Sequence, residues 1–401
     1  MLTLTQWFMN PPMAETNRTE HSGERPHALV CPLDWGIGHA TRCVPIIRSL
    51  QEAGFQVTAA ADTRPLEFLK KECSGIDFIV FSGVKIHYPK NGQVALKMIG
   101  QLPEFLFGIL REHKKLAEIA GWLHPDLIIS DNRYGCWHPD IPSVFITHQL
   151  DVEPPALLRW MRGIMRSINY WFIRRYRECW IPDFELHNGM AGVLSHPAIR
   201  PRNIHYIGIL SRFSYFTDRS FEPTGTLIDL VALLSGPEPQ RTILEKKLLT
   251  DLQKLELKAV VVQGKTEISE SFAVNERIHC FSHLGTQELA RLFHNTDLVI
   301  CRSGYSSIMD LVTLGKRAVL IPTPGQTEQE YLARYLMNKK IYFSMKQDHF
   351  DLVYALEMAK NFPGMMIPND YSTLKDRIRE LSAALFPHSP ADEKQPGHDE
   401  R

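Results

Sequence analysis

The sequence has no excess of either charge, because its 401 residues carry 45 Lys and Arg against 45 Asp and Glu. This balance argues against a supercharged nucleic-acid binder. The composition, 44% apolar and 22% charged residues, argues against a disordered chain. No apolar run reaches the ~18 residues of a transmembrane helix, which argues against a polytopic membrane protein. At roughly 100–200 residues per domain, the length predicts two or three domains.

Cysteine pairs at metal-binding spacing are also missing. The seven cysteines are odd in number and scattered, which argues against a disulfide framework or a zinc site and favours reduced thiols in the cytosol. Residues 1–25 lack the apolar core of a signal peptide, so we expect them to form a flexible extension of a cytoplasmic protein. Because no Asp-x-Asp pair stands out, we expect no metal ion and no resident cofactor.

Apolar runs that are typical of strands alternate with helical patterns along most of the chain. Strands are predicted at 27–33, 55–61, 77–81, 126–130, 143–147, 228–234, 258–263, 277–282, 298–302, 318–322 and 341–344. Helices are predicted at 40–53, 65–73, 94–120, 240–255, 286–294, 306–314, 328–338 and 372–385. Strands rich in Val, Ile and Leu predict parallel sheets covered on both faces. Because the pattern occurs twice, it predicts an α/β fold of two Rossmann-like, doubly wound domains that face a cleft.

Composition shifts divide the chain into segments. The first domain is predicted at 26–210 and the second at 227–370. Between them, Ser, Thr, Pro and Gly replace the periodic pattern at 211–226, which is typical of a linker. A C-terminal helix is expected at 371–386, followed by a disordered tail at 387–401.

A glycine-containing loop follows the first strand and leads into a helix. Gly36 and Gly38 permit a tight turn, but the third glycine of a dinucleotide fingerprint is missing, so a simple glycine-rich turn is the alternative. His39 stands at the start of the helix and at the carboxyl edge of the sheet, where open α/β sheets bind ligands. We therefore expect His39 to be a functional residue of a ligand-binding or active site at this edge.

A second candidate site follows the strand at 298–302. Gly304 lets an anion approach the backbone, Ser303, Ser306 and Ser307 offer hydroxyl donors, and the helix dipole favours negative charge. Asp310 lies six residues after Gly304, about 9 Å along a helix at ~1.5 Å per residue. This is near the span from a nucleotide's diphosphate to its ribose, although a solvated helix face explains Asp310 equally well. In the loop after the next strand, the side chains of Gln326, Glu328 and Gln329 suit sugar hydroxyls.

These motifs together resemble a known enzyme family. Gly36-x-Gly38-His39, Arg302-Ser303-Gly304 with Asp310, and the 322–329 loop are similar to those of GT-B glycosyltransferases of family 28. That family includes the N-acetylglucosaminyltransferase of the peptidoglycan lipid pathway and the monogalactosyldiacylglycerol synthases. The resemblance spans roughly 26–338. It implies an N-terminal acceptor domain and a C-terminal domain that binds a nucleotide sugar.

The resemblance also implies roles for single residues. His39 would face the reacting centre. Donor binding is implied, without a stated part of the donor, for Gly36, Gly38 and Arg302. The other implied donor contacts are the phosphates for Ser235, Gly236, Ser303, Gly304 and Ser306, the base for His283 and Leu284, the ribose for Asp310, and the transferred sugar for Gln326, Glu328 and Gln329. Two departures leave the donor's nucleotide and sugar open. The family commonly has Glu at the position of Asp310, and Pro237 removes a backbone N–H after Gly236.

The expected activity is transfer of a hexosyl group from a nucleotide sugar, UDP-linked in the first hypothesis, to an acceptor hydroxyl. Either His39 or Asp131 would take the proton from that hydroxyl. Helix-terminal N–H groups would stabilise the leaving diphosphate without a metal ion, and the resemblance implies inversion at the anomeric carbon. A nucleotide-sugar epimerase and a non-catalytic nucleotide-sugar-binding subunit are the alternatives.

The segment 154–177 contains six arginines and no acidic residue. Apolar positions 157, 161, 164, 165, 168 and 172 share one helical face. Such a helix fits the surface of an anionic membrane at its inner face, and equally a helix packed on the domain core with its arginines in water. The first interpretation favours a lipid-linked acceptor and names, as membrane or acceptor contacts, Arg159, Trp160, Arg162, Arg166 and Trp171.

Overall fold

The computed structural model describes residues 25–84, 94–186, 188–216, 227–265, 268–367 and 371–387. The predicted N-terminal extension, most of the predicted linker and nearly all of the predicted tail lie outside these ranges. Among the described residues, no helix combines the length and apolarity that crossing a membrane requires.

The N-terminal half is built on a parallel sheet in the order β3-β2-β1-β4-β5-β6-β7. Its strands are β1 (His27–Pro32), β2 (Gln56–Ala61), β3 (Asp77–Val80), β4 (Leu127–Asp131), β5 (Ser143–Ile146), β6 (Glu178–Ile181) and β7 (Ile204–Tyr206). Its helices are α1 (Ile37–Glu52), α2 (Thr63–Glu72), α3 (Val94–Leu123) and α4 (Arg162–Ile173). The strand order reverses between β1 and β4, and such a switch point opens a crevice at the carboxyl ends of the strands. Pro32 pairs with Asp131 there, so the loop after β1 lies beside the end of β4.

The C-terminal half repeats this plan in the order β10-β11-β9-β8-β12-β13-β14. Its strands are β8 (Ile228–Leu233), β9 (Ala259–Val262), β10 (Ser271–Ala273), β11 (Ile278–Phe281), β12 (Thr296–Cys301), β13 (Arg317–Leu320) and β14 (Phe343–Ser344). Its helices are α5 (Gln240–Leu252), α6 (Thr286–His294), α7 (Tyr305–Leu314), α8 (Thr327–Asn338) and α9 (Leu352–Ala359). The edge strand β10 is antiparallel, and the switch point lies between β8 and β12. The predicted α/β class with two doubly wound sheets is confirmed.

Four elements were not predicted: β6, β7, β10 and α9. Strands β7 and β10 have three residues each, too few for a periodic signal. Strand β6 begins with a charged residue, Glu178, whose carboxylate accepts a hydrogen bond from Trp180 Nε1 at 2.8 Å inside the fold.

The last helix, α10 (Ser372–Leu385), packs on the N-terminal half although it follows the C-terminal one. Its buried residues belong to one apolar cluster that contains residues of both halves: Leu374, Ile378, Leu381 and Leu385. Lys375 Nζ lies 2.9 Å from Glu52 Oε2, and Arg377 Nε donates to Glu178 Oε2 at 2.8 Å. The chain therefore crosses back and ties its end to the first domain.

Candidate active site

His39 lies in the first turn of α1, at the carboxyl edge of the first sheet. Gly36 precedes the helix with a φ of +127°, a conformation that favours glycine. A Cβ on Gly38 would lie 3.0 Å from Ser306 Oγ of the other half, and this hydroxyl donates to the Gly38 carbonyl at 2.9 Å. The two glycines thus serve the turn and the close approach of the two halves, which brings His39 to the cleft.

A buried carboxylate lies behind His39. Asp131 is fully buried at the end of β4, and Arg42 donates to it through Nε at 2.9 Å and through Nη2. Asp131 Oδ2 lies 3.1 Å from His39 Nδ1, but Arg42 Nη2 lies 2.9 Å from the same nitrogen. Because a guanidinium only donates, the two contacts require different tautomers of His39. With its Nδ1 proton directed at Asp131, His39 has Nε2 free to accept a proton.

The pKa values of this group separate the two candidate bases. Burial alone would raise the pKa of Asp131, but Arg42 and His39 lower it to about 2. Burial and the nearby Arg42 lower the pKa of His39, against the opposing influence of Asp131. At neutral pH the site holds a paired carboxylate and a neutral imidazole, which is partly exposed. The geometry therefore favours His39 as the base and Asp131 as the group that orients it.

A second histidine, His148, connects the two halves. Its Nε2 lies 2.8 Å from Glu328 Oε1 of the C-terminal half, and its ring stacks on Tyr305 with centroids 4.2 Å apart. Its Nδ1 lies 3.4 Å from Arg42 Nη1, so the Glu328 carboxylate joins the network around His39. Sequence reasoning missed both Arg42 and His148. The available signals were the position of Arg42 one turn after His39 and that of His148 just past β5, beside the end of β4.

The C-terminal half presents a loop and a helix start to the same cleft. Gly304 precedes α7, and a Cβ there would meet nothing within 4 Å, so open space lies beside the first turn of the helix. Ser303 Oγ donates to the Gln329 carbonyl at 2.8 Å and ties this loop to α8. An anion beside Gly304 would meet unpaired N–H groups and the positive end of the helix dipole. Within the described ranges, no three His, Cys, Asp or Glu side chains are grouped so that they could hold a metal ion.

Arg302 does not reach this space, contrary to the expected direct contact with the donor. Its side chain is 1% exposed and donates to backbone carbonyls, among them Ile321 at 3.2 Å and Gln240 at 2.9 Å. Carbonyl groups at the ends of strands have no hydrogen-bond donor within the sheet. The five N–H groups of a buried guanidinium can act as their donors. Arg302 therefore joins neighbouring loops from behind.

The remaining donor-side candidates lie in loops at the same edge of the second sheet. Gly236, after β8, has a φ of +100°, and a Cβ on it would lie 3.2 Å from Thr323 Oγ1. His283, between β11 and α6, is half-buried, and its pKa is lowered by burial and by Arg212. Leu284 packs against the apolar cluster that the two halves share. Ser235 follows β8 and His283 follows β11, so the two loops leave the same edge of the sheet on either side of β9.

Asp310 lies on α7 beside the segment that joins the halves. Its Oδ1 accepts a hydrogen bond from Ser211 Oγ at 2.6 Å. Burial raises its pKa to about 6, and Arg212 and Ser211 offset only part of that rise. Asp310 is therefore partly enclosed and hydrogen-bonded to Ser211, so the alternative interpretation as part of a solvated helix face does not apply.

The amide side chains of Gln326 and Gln329, at the start of α8, make hydrogen bonds with each other and with the loop before the helix. Gln329 Oε1 accepts from the Thr323 N–H at 2.9 Å, and its amide nitrogen contacts Gln326. Glu328 contacts Gln149 as well as His148. Of the three residues expected to meet a sugar, Glu328 is the one whose side chain reaches the N-terminal half.

Comparisons with known proteins agree with this architecture. Residues 240–361 match the model of the glycosyltransferase family 28 C-terminal domain. A UDP-N-acetylglucosamine--N-acetylmuramyl-(pentapeptide) pyrophosphoryl-undecaprenol N-acetylglucosamine transferase of Rickettsia bellii is 32% identical over 331 residues, which are 78% of this chain and 83% of that protein. The chain belongs to glycosyltransferase family 28.

Solved structures of other proteins have the same fold as this glycosyltransferase. The crystal structure of the glycotransferase of kitacinnamycin has a TM-score of 0.60 and 14% identity, over 90% of this chain and 96% of that one. MurG of Acinetobacter baumannii has a TM-score of 0.51 and 15% identity, over 88% of this chain and 99% of that one. These structures confirm the predicted GT-B fold. The family model and the 32% identical relative confirm the glycosyltransferase activity, and this favours transfer over the epimerase and the non-catalytic subunit.

The arginine-rich segment of the glycosyltransferase differs from a single amphipathic helix. A 3-10 helix covers Ala156–Met161, and α4 follows from Arg162. Arg162 pairs with Asp151 at 3.1 Å and Arg166 with the same carboxylate at 3.7 Å, so acidic residues just before the segment neutralise part of its charge. Half-buried Trp171 stacks under Arg175 at 3.8 Å.

The predicted apolar face of this segment is divided. Phe172 is buried in the domain. In contrast, Trp160, Ile164 and Ile168 are 73%, 50% and 44% exposed at four-residue spacing, and Arg159 is exposed beside them. Packing on the domain core therefore accounts for Phe172, whereas Trp160, Ile164 and Ile168 are not covered by the described residues.

Proposed function

We propose that the glycosyltransferase moves a hexosyl group from a nucleoside-diphosphate sugar, UDP-linked in the first instance, to the hydroxyl of a lipid-linked acceptor. The observation that carries this proposal is the placement of His39. Its imidazole, backed by buried Asp131, stands within one network with Glu328 and opposite Ser306, both from the half that matches the family's C-terminal domain.

In this proposal the acceptor hydroxyl gives its proton to His39 Nε2. The acceptor oxygen then forms a bond to the anomeric carbon from the face opposite the leaving group, which inverts the configuration. The bond from that carbon to the diphosphate breaks, and its electron pair stays on the diphosphate oxygen. The N–H groups at the start of α7 stabilise this charge, without a metal ion.

The other donor-side residues bind and orient the donor. Ser235, Gly236 and Gly304 surround the diphosphate, His283 and Leu284 flank the base, and Asp310 accepts from the ribose hydroxyls. Glu328 meets the transferred sugar together with Gln326 and Gln329. The position of Glu328 beside His148 supports this, because a carboxylate at the junction of the halves can reach a sugar held between them.

The acceptor side of the proposal rests on the exposed face of Trp160, Ile164 and Ile168. Apolar and aromatic side chains of this kind beside exposed arginines favour a shallow contact with an anionic membrane, where a lipid-linked acceptor resides. We place the enzyme at the cytoplasmic face of that membrane.

Calorimetric titration with UDP, thymidine diphosphate and GDP tests the donor. We expect UDP to bind most tightly and EDTA to leave its affinity unchanged within about twofold. Release of UDP from UDP-N-acetylglucosamine or UDP-galactose should accelerate on addition of a lipid-linked acceptor and should fall by about 10²-fold or more in His39→Gln. Wild-type turnover in His39→Gln would exclude His39 as the base, and tighter binding of another nucleotide would correct the donor.

A further inference from the structure

The Arg302 guanidinium is a buried cation without an anionic partner among the described residues. All its described hydrogen bonds go to neutral oxygens: the carbonyls of Ser235 (3.3 Å), Gln240 (2.9 Å), Ile321 (3.2 Å) and Pro322 (3.4 Å), and Gln347 Oε1 (2.6 Å). Burial lowers its pKa to about 10, so the side chain still carries its charge at neutral pH.

The two other fully buried arginines of the described residues are each paired with a carboxylate. Arg42 is paired with Asp131, and Arg133 donates to Glu112 Oε1 at 2.7 Å. A buried charge is costly unless an opposite charge or several hydrogen bonds compensate it. Neutral oxygens compensate Arg302 only in part, so the positive potential extends beyond its hydrogen-bond partners.

That potential reaches the loops that line the cleft. Arg302 directly follows β12 and precedes Gly304 by two residues, and a Cβ on Gly236 would lie 3.7 Å from Arg302 Nε. The same Cβ would lie 3.2 Å from Thr323 Oγ1, which is buried and has no hydrogen-bond partner among the residues that the structure describes. Three loops thus meet around one positive charge and one unused hydroxyl, next to the open space beside Gly304.

We propose that Arg302 is a positioning residue whose buried charge offsets the negative charge of the donor's diphosphate, with the Thr323 hydroxyl as an additional donor to it. This inference rests on the proposed function, because it assumes a diphosphate at the start of α7. It replaces the expected direct contact of Arg302 by an electrostatic effect through the loop backbones at Ser235 and Gly304. The effect grows during transfer, when the electron pair of the broken bond moves onto the diphosphate oxygen.

Arg302→Gln removes the charge and keeps hydrogen-bonding groups, and calorimetry with UDP, UMP and uridine measures the consequence. We expect a loss of affinity of at least about tenfold for UDP, a smaller loss for UMP and less than about twofold for uridine, because the effect follows the charge of the ligand. Arg277→Gln is the matched control, since it removes the same charge from a partly exposed side chain paired with Glu256 at the start of β11. This control should leave all three affinities within about twofold.

Arg302→Lys separates the effect of the positive charge from that of the hydrogen bonds that hold the loops together. It keeps the charge but loses the planar fork, so the ratio of UDP affinity to uridine affinity should stay within about threefold of the wild type. This variant carries the test if Arg302→Gln does not fold. A tenfold drop of that ratio in Arg302→Lys, or an equal loss for UDP and uridine in Arg302→Gln, would mean that Arg302 only braces the loops and would overturn the inference. Failure of the wild type to bind UDP or pyrophosphate would instead remove the diphosphate site itself, and the donor proposal with it.

Discussion

His39 and Asp131 lie in contact, and their environments set their pKa values apart. Asp131 has no exposed surface and a pKa of about 2, whereas the His39 side chain is 18% exposed and has a lowered pKa. A general base must be unprotonated and must reach the substrate. Of these two side chains, only that of His39 has surface that a substrate can contact, which favours His39 as the base.

The pH dependence of transfer follows from the lowered pKa of His39. Because the base acts unprotonated, kcat should rise with pH through this pKa and level off above it, with the acid limb below the ordinary histidine value of about 6.5. A pH profile at saturating donor measures this acid limb, and a limb above pH 7 would contradict the assignment of His39 as the base.

Asp131→Asn should lower kcat by about 10²–10⁴-fold, because the carboxylate that orients His39 is lost. Asp140→Asn, which changes an exposed carboxylate, is the control and should leave kcat unchanged.

Asp310 illustrates a residue whose ionisation costs stability. Its pKa of about 6 exceeds the usual value of 3.8, so the folded state holds the proton more tightly than the unfolded chain does. The stability contribution of the protonated form is complete below pH 3.8 and is lost as pH rises to about 6. Asp310→Asn should therefore keep or raise the unfolding midpoint at pH 7 and weaken UDP binding by about tenfold. A thermal melt and a titration with UDP measure both, and unchanged UDP affinity would remove Asp310 from the ribose site.

At the scale of single elements, α4 and the 3-10 helix before it carry an exposed apolar face that does not pack against the domain core. Trp160→Ser with Ile164→Ser should reduce flotation with anionic vesicles of phosphatidylglycerol by at least about fivefold, because both side chains are exposed and would enter the membrane interface. Trp122→Ser is the matched control, since Trp122 is 60% exposed near the end of a different helix, α3. Equal flotation of both variants would mean that this face does not bind the membrane.

Element prediction succeeded where pattern and length agreed. Helix α6 was predicted with its observed bounds, and the helix at 306–314 differs from α7 by one residue. The apolar face of α4 was assigned only in part, because periodicity shows that residues share a face and does not show what covers it. Phe172 is covered by the domain, and Ile168 is not.

At the scale of the whole molecule, α10 joins the end of the chain to the first domain. Ile378 is buried in the apolar cluster common to both halves, so Ile378→Ala should destabilise the protein by about 2–4 kcal/mol. Arg379→Ala, on the exposed side of the same helix, should change stability by less than about 0.5 kcal/mol. Urea denaturation followed by tryptophan fluorescence compares the two. Equal midpoints would show that α10 is not part of the cooperative unit.

The sequence by itself determined the two parallel sheets, most of their elements and the positions of His39, Gly304 and Asp310 at helix starts or on helix faces. These features follow from local periodicity and from the positions of glycines, and both can be recognised in the sequence. The contact that joins the two halves of the site could not be found in this way, because His148 and Glu328 are 180 residues apart.

Only the tertiary structure decided how charges are paired. It directed Arg42 at Asp131, enclosed that carboxylate completely, and placed Arg302 away from every carboxylate of the described residues. It also paired Arg162 with Asp151, which reduced the local excess of positive charge within a chain of zero net charge. Electrostatic interactions and desolvation depend on distance and burial in three dimensions, and a sequence lists the charges without these two quantities.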